Sequence, residues 1–223
     1  MNARSKEAWR RMGLFGAAIC CGITTATPAA SAAAFAARET HRGLLVDRAD
    51  GTTGKLTANG WFRRPGEPAL VYREGGATVA AIWDSGPGAA VVRSGTTEKA
   101  PVVGRIVPSW NDGELRLAIE PAGGGAVRTT VFERVSGGAH GALSRDSPTR
   151  AELEGTYRAT LQSAGGANAG WLTVDIDPEG ATRFSGDLPP AIPPALAAAA
   201  AAAVESEVDF IYGDVTDVSP LRR

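Results

Sequence analysis

Cysteine is nearly missing from this chain. Among 223 residues there are two, Cys20 and Cys21, both close to the N-terminus. Beyond them no disulfide, thiolate nucleophile or cysteine-held metal is available. Histidine is as scarce: His41 and His140 stand alone, so zinc lacks its usual nitrogen ligands, and the sequence points to no cofactor. Only Lys6, Lys55 and Lys99 are lysines among 23 basic residues, and the net charge is −1. That balance carries no footprint for nucleic acid or anionic lipid. Aromatic residues make up 6% of the chain, so each tryptophan stands out.

What is present begins with a leader. Arg4, Lys6, Arg10 and Arg11 face one acid, Glu7, ahead of an apolar, small-residue stretch from Met12 to Thr27 and then Pro28. A basic start, a short apolar middle and the small-residue exit Ala30-Ser31-Ala32 are the parts of a secretory signal peptide. A membrane-spanning helix needs roughly 20 apolar residues. Gly22, Thr24, Thr25 and Pro28 interrupt this stretch sooner. Residues 1–32 are therefore expected to be removed, with cleavage after Ala32 preferred over a cut one to three residues later. No membrane span is then expected, and the net charge of −1, less four bases and one acid, becomes −4. Ile19 before Cys20, and Cys20 before Cys21, replace the small residue that normally precedes an acylated cysteine, which makes lipidation the lesser alternative. Arg10-Arg11 leaves the general and twin-arginine export routes both open. A periplasmic or secreted location is expected.

From His41 onward, short apolar stretches recur about every ten residues between Gly, Pro, Asn and Asp, the spacing of an all-β barrel or sandwich. Strands are expected at 42–47, 55–62, 69–73, 77–83, 89–93, 102–107, 114–120 and 126–135. A second group follows at 155–163, 171–177, 181–185 and 208–212. In ELRLAIE, Leu115, Leu117 and Ile119 share one face; in WLTVDID, Leu172, Val174 and Ile176 do. One dry and one wet face favour antiparallel pairing. ATVAAIWD is apolar on both faces and reads as a central strand. Residues 136–150, without periodicity, read as a linker or long loop between a β-rich unit at 41–135 and hairpins, helix and final strand at 151–223, which could also pack as one domain. PPAIPPALAAAAAAAVESE is the expected helix, with proline at its start and the best helix former along it, needing only a shallow contact with a sheet. The fold class is thus a mainly antiparallel meander with one alanine-rich C-terminal helix.

GTYRATL followed by GWLTVDIDPEGATRFSG resembles the G-T-aromatic opening and repeated hairpins of avidin-like meander barrels, over about thirty residues, 155–186. None of the ligand-contacting residues of those barrels has a counterpart, so the resemblance implies a fold and carries no function.

Several constellations invite chemistry. Asp175, Asp177, Glu179 and Gly180 match the opening of a calcium loop, but Gly186 stands where the closing carboxylate belongs, and Pro178-Glu179-Gly180 fits a turn. His140, Ser144 and Asp146 suggest a hydrolase, yet all three lie in one loop with no strand-to-helix nucleophile elbow. GTTGK lacks the spacing of a phosphate cradle. Asp47, Asp50, Asp84 and Glu98 are not picked out as a glycosidase pair by their spacing. Trp61 and Trp171 fall on the polar side of alternating strands, where large aromatics mark binding surfaces or sit beneath a neighbouring loop. They are the candidate binding residues; no catalytic or metal-ligating residue is assigned. The expected function is an exported, non-catalytic ligand- or partner-binding module of the bacterial cell envelope, its partner an unknown ligand or envelope protein. A structural or accessory envelope protein without a small-molecule site is the alternative, and a periplasmic hydrolase the third. The barrel interior decides between the first two: a roomy one favours a ligand, a filled one does not.

Overall fold

Period-two patterning folds here into thirteen strands. The computed structural model describes residues 33–40, 43–58, 66–86, 89–137, 141–145 and 153–212. The expected leader, Trp61, His41, His140 and Asp146 lie outside them. The strands are β1 (Ala33–Thr40), β2 (Gly43–Arg48), β3 (Thr53–Ala58), β4 (Leu70–Glu74), β5 (Ala77–Gly86), β6 (Ala89–Arg93) and β7 (Val102–Asn111). Then come β8 (Glu114–Pro121), β9 (Val127–Thr129), β10 (Glu133–Ser136), β11 (Gly155–Ser163), β12 (Asn168–Ile176) and β13 (Thr182–Leu188). They form one antiparallel meander, with both strand groups in the same sheet. Pairing of β1 with β13 and of β11 with β9 closes a 12-strand barrel, with β10 extending the β11 seam. Turn chemistry sets the register: Gly75-Gly76 (φ 55 and 86) and Asp112-Gly113 (φ 52 and 80) hold the paired positive φ angles of two-residue hairpins.

A ring of twelve strands spaced about 4.8 Å apart and tilted about 40° has a radius of roughly 12 Å. Wall side chains alone do not fill that width. The final element does: α1 (Pro194–Tyr212) runs back through the lumen. Pro194 occupies the first helical position, and the Pro193 carbonyl accepts from the N–H groups of Leu196 and Ala197 (2.9 and 3.0 Å). The helix lies against β6, β7 and β8 and reaches β2, β5 and β13. Ala195 to Val204 are all buried, as is Val208. A helix apolar on every side must be enclosed on every side. Alanine keeps it thin enough to fit among Leu, Ile and Phe side chains from the wall.

Gly104 fixes its seat. A Cβ there would lie 2.8 Å from Leu196 Cδ2 and 2.7 Å from the Glu120 carbonyl oxygen, so only glycine lets the helix approach β7 this closely. Farther along, Trp110 of β7 bonds Glu207 of α1. Six strand residues span about 20 Å and eleven helix residues about 16 Å, so helix and strand run side by side through the barrel.

Four expectations change. The strand expected at 208–212 is the end of α1, because a closed barrel offers no edge for a further strand and a helix already started propagates cheaply. The helix contact is not shallow but all-round. The strand expected at 126–135 breaks into β9 and β10, and within the stretch read as a linker, residues 141–145 enter the gap where the wall parts. There Leu115 N–H donates to the Leu143 carbonyl (3.0 Å) and Leu143 N–H to the Phe132 carbonyl (2.8 Å), with Leu143 fully buried. Finally, β1 comes earlier than the first expected strand, its alanines continuous in sequence with the alanine-rich stretch before it.

Candidate functional site

Trp171 is the one proposed binding residue among the described positions; Trp61 lies outside them. Trp171 sits on the outer wall of β12, opposite Thr160 of β11 and Asp187 of β13. Its indole Nε1–H donates to Asp187 Oδ2 at 3.1 Å, and the Arg158 guanidinium lies 4.5 Å from the ring centroid. Tryptophan and aspartate share a rung, and Arg158, opposite Thr173, reaches the ring diagonally, so the contact crosses three strands. One face of the ring and its only polar atom are engaged within the protein, which accounts for a large aromatic on a polar face through cross-strand packing. Beside it, Thr156 donates to Asp175 Oδ1 (3.0 Å).

The calcium-like DIDPEG segment resolves into a turn. Asp177 Oδ1 accepts from Ala181 N–H at 2.8 Å, and its carbonyl accepts from Gly180 N–H at 2.9 Å, with Gly180 at φ 91. Asp175 and Asp177 thus point their oxygens at different partners. Among the described residues no group of three or more His, Cys, Asp or Glu side chains could hold a metal ion. Of the hydrolase trio the structure places Ser144 alone, bridged to Glu114 at the edge of the wall.

Two tryptophans not singled out in the sequence hold more structure than Trp171. Trp83 and Ala81 face outward from β5, yet with Val71 of β4 they form a second, separate buried cluster outside the barrel. Arg93 stacks 5.8 Å from the Trp83 centroid and donates to the Ala100 carbonyl (2.9 Å), tying the 94–101 loop down beside the indole. This explains why ATVAAIWD is apolar on both faces: it has a core on either side, rather than a central place in an open sheet. Trp110 is the other. It shares the inward face of β7 with Ile106, and its Nε1–H donates to Glu207 Oε2 at 2.7 Å, a carboxylate only 1% exposed. The Arg145 guanidinium lies 5.4 Å from the Trp110 centroid. The signal in the sequence was the acidic VESEVD on a helix otherwise apolar all round: a carboxylate there must find a donor inside.

The walls have opposite polarity. Leu115, Leu117 and Ile119 face in; Arg105, Arg128, Arg158 and Arg183 are exposed on the outside. A membrane-spanning barrel requires an apolar outer band, the reverse of this arrangement. Among the described residues no helix is long and apolar enough to cross a membrane. Set beside protein-family models, curated proteins and solved structures, the chain matches none of them.

Proposed function

We propose that this chain is an exported, non-catalytic barrel of the bacterial cell envelope that meets a partner protein through its outer wall and rims and carries no ligand in its lumen. The observation behind this reading is the helix: with Ala195 to Val204 buried on all sides, the space in which a meander barrel would hold a small molecule is already occupied. The test uses mature protein recovered from the envelope. Thermal-shift and tryptophan-fluorescence screens against glycans, lipids and small metabolites should give no saturable response. A photo-crosslinker at the exposed Arg183 should give one discrete adduct with a second protein in the cell. A stoichiometric small molecule in native mass spectra, or no adduct from any outer-wall position, overturns the proposal.

A structural or accessory role without a specific surface site is the second reading, favoured by the engagement of Trp171 with Arg158 and Asp187. Trp171→Ala separates the two. Lower stability with an unchanged adduct assigns that residue to packing alone, whereas loss of the adduct at unchanged stability makes it part of the contact surface.

A further inference from the structure

The wall has one seam between strands far apart in sequence. The other closing pair, β9 with β11, spans only about 30 residues and the remaining pairs join strands that follow one another, whereas β1 meets β13 across roughly 150 residues. The seam begins at the first residue of β1: Ala33 is opposite Leu188, Ala34 opposite Asp187 and Phe35 opposite Gly186, with the register continuing to Arg38 and Arg183. On its other side β1 pairs with β2 from Phe35 to Thr40, and the Ala34 carbonyl accepts from Ala49 N–H at 3.0 Å. Phe35 and Ala37 are buried in the main core. Directly before Ala33 stands Ala30-Ser31-Ala32, with small residues at the two positions a leader peptidase reads. The leader's exit and the first rung of the closing seam are therefore adjacent, with no spacer between them.

Resting on the export reading above, we infer that the bond between Ala32 and Ala33 is a processing site that is cut only while β1 is undocked from β13, so that leader removal precedes barrel closure. A peptidase takes its substrate as extended, unpaired chain on both sides of the bond, and backbone already paired in a sheet must open first. Here the residues just after the bond are three rungs of the seam, and the third carries a buried phenylalanine. The reaction is hydrolysis: water adds across the Ala32–Ala33 amide, leaving a carboxylate on Ala32 and an ammonium on Ala33, with no other reactant. The same register argues against a later cut. Removing Ala33 to Phe35 would take away half of the six rungs joining β1 to β13.

The experiment uses the full 223-residue precursor and purified leader peptidase in detergent micelles. Precursor unfolded in urea and diluted directly into the reaction should be cut at Ala32–Ala33, as read from the intact mass of the product. Precursor folded beforehand should be cut on the order of 100-fold more slowly. Inserting about eight Gly/Ser residues after Ala32 moves the bond up to about 26 Å along the chain from the wall and should make the folded form as cleavable as the unfolded one. If the intact precursor does not fold, a folding signal that appears only as the leader is cut supports the same order of events. Equal rates for folded and unfolded precursor overturn the inference and leave the export reading standing, as does a cut within β1. No cut in any form of the chain, or a cut at Cys20 or Cys21, overturns the leader assignment itself.

Discussion

The wall that seats the helix and the wall opposite are built from different residues. Strands β6 and β7 turn small or branched side chains inward at Ala90, Val92, Gly104 and Ile106, and the larger Trp110 follows only near the end of β7. Half a turn round the ring, β1 and β13 present Phe35 and Phe184. The helix is thus off the barrel axis, close to a shallow wall and faced by a deep one. A twelve-strand lumen is wider than one alanine helix needs, and Phe35 and Phe184 take up part of the difference opposite the seat. This asymmetry fixes where the helix lies, which a uniformly lined barrel would leave open.

The comparison breaks most severely from the deep wall. Phe184→Ala removes a ring that no neighbour can replace and should lower stability by about 3–5 kcal/mol in urea unfolding, against a change within about 0.5 kcal/mol for Thr173→Ala on the outer face. The shallow wall is sharpened by a double-mutant cycle. Leu196→Ala should cost about 2–5 kcal/mol through the cavity it leaves, and Gly104→Ala about 1–3 kcal/mol because its methyl meets Leu196. Together they should cost at least about 1 kcal/mol less than their sum, since the added methyl enters the space vacated. Strict additivity would mean that the helix does not rest on Gly104.

How much of this was legible follows from what each segment must satisfy locally. Strands β2, β6, β8, β11 and β12 were readable because alternation and turn residues agree, as at Asp112-Gly113 before β8. Strand β1 was not, because its sequence AAFAARET lacks turn signals and blends into the alanines that precede it. The segment VDFIY, with strand-favouring residues, follows an established helix and has no open edge to join. Whether the lumen is filled depends on strand number, which no local pattern encodes. For the candidate site, Trp171 was visible as an aromatic among polar neighbours, but its ties to Arg158 and Asp187 come from register across three strands.

A third and smaller effect lies near the end of the helix. Trp110→Phe keeps an aromatic ring on β7 but deprives the buried Glu207 carboxylate of its indole donor, at an expected cost of about 1.5–3 kcal/mol. Adding Glu207→Leu should recover most of that loss, because an apolar pair leaves no charge short of a donor. Urea unfolding of the three variants reads this directly. If the double variant is as unstable as Trp110→Phe, ring packing rather than the hydrogen bond holds the helix end.

The smallest effect is expected between these two walls, at Tyr72 of β4. Its ring lies against Gly54, where a Cβ would come within 2.0 Å of the phenol oxygen. That oxygen is buried beside the Glu74 carboxylate, and among the described residues no acceptor meets it in good hydrogen-bonding geometry. Burial, then the charge of nearby Glu74, holds the phenol far above its ordinary value of 10.0. Tyr72→Phe therefore removes an unsatisfied group and should change stability at neutral pH by less than about 1 kcal/mol, in either direction. Alkaline solution distinguishes the two side chains. The folded state keeps this phenol neutral while the unfolded chain ionises it, so the stability tied to it is complete below about pH 10 and declines above. Urea midpoints measured from pH 8 to 11 should fall more steeply in the native protein than in Tyr72→Phe. Parallel curves would mean that the hydroxyl reaches solvent and that the lumen beside β3 and β4 is wetter than its aromatic lining implies.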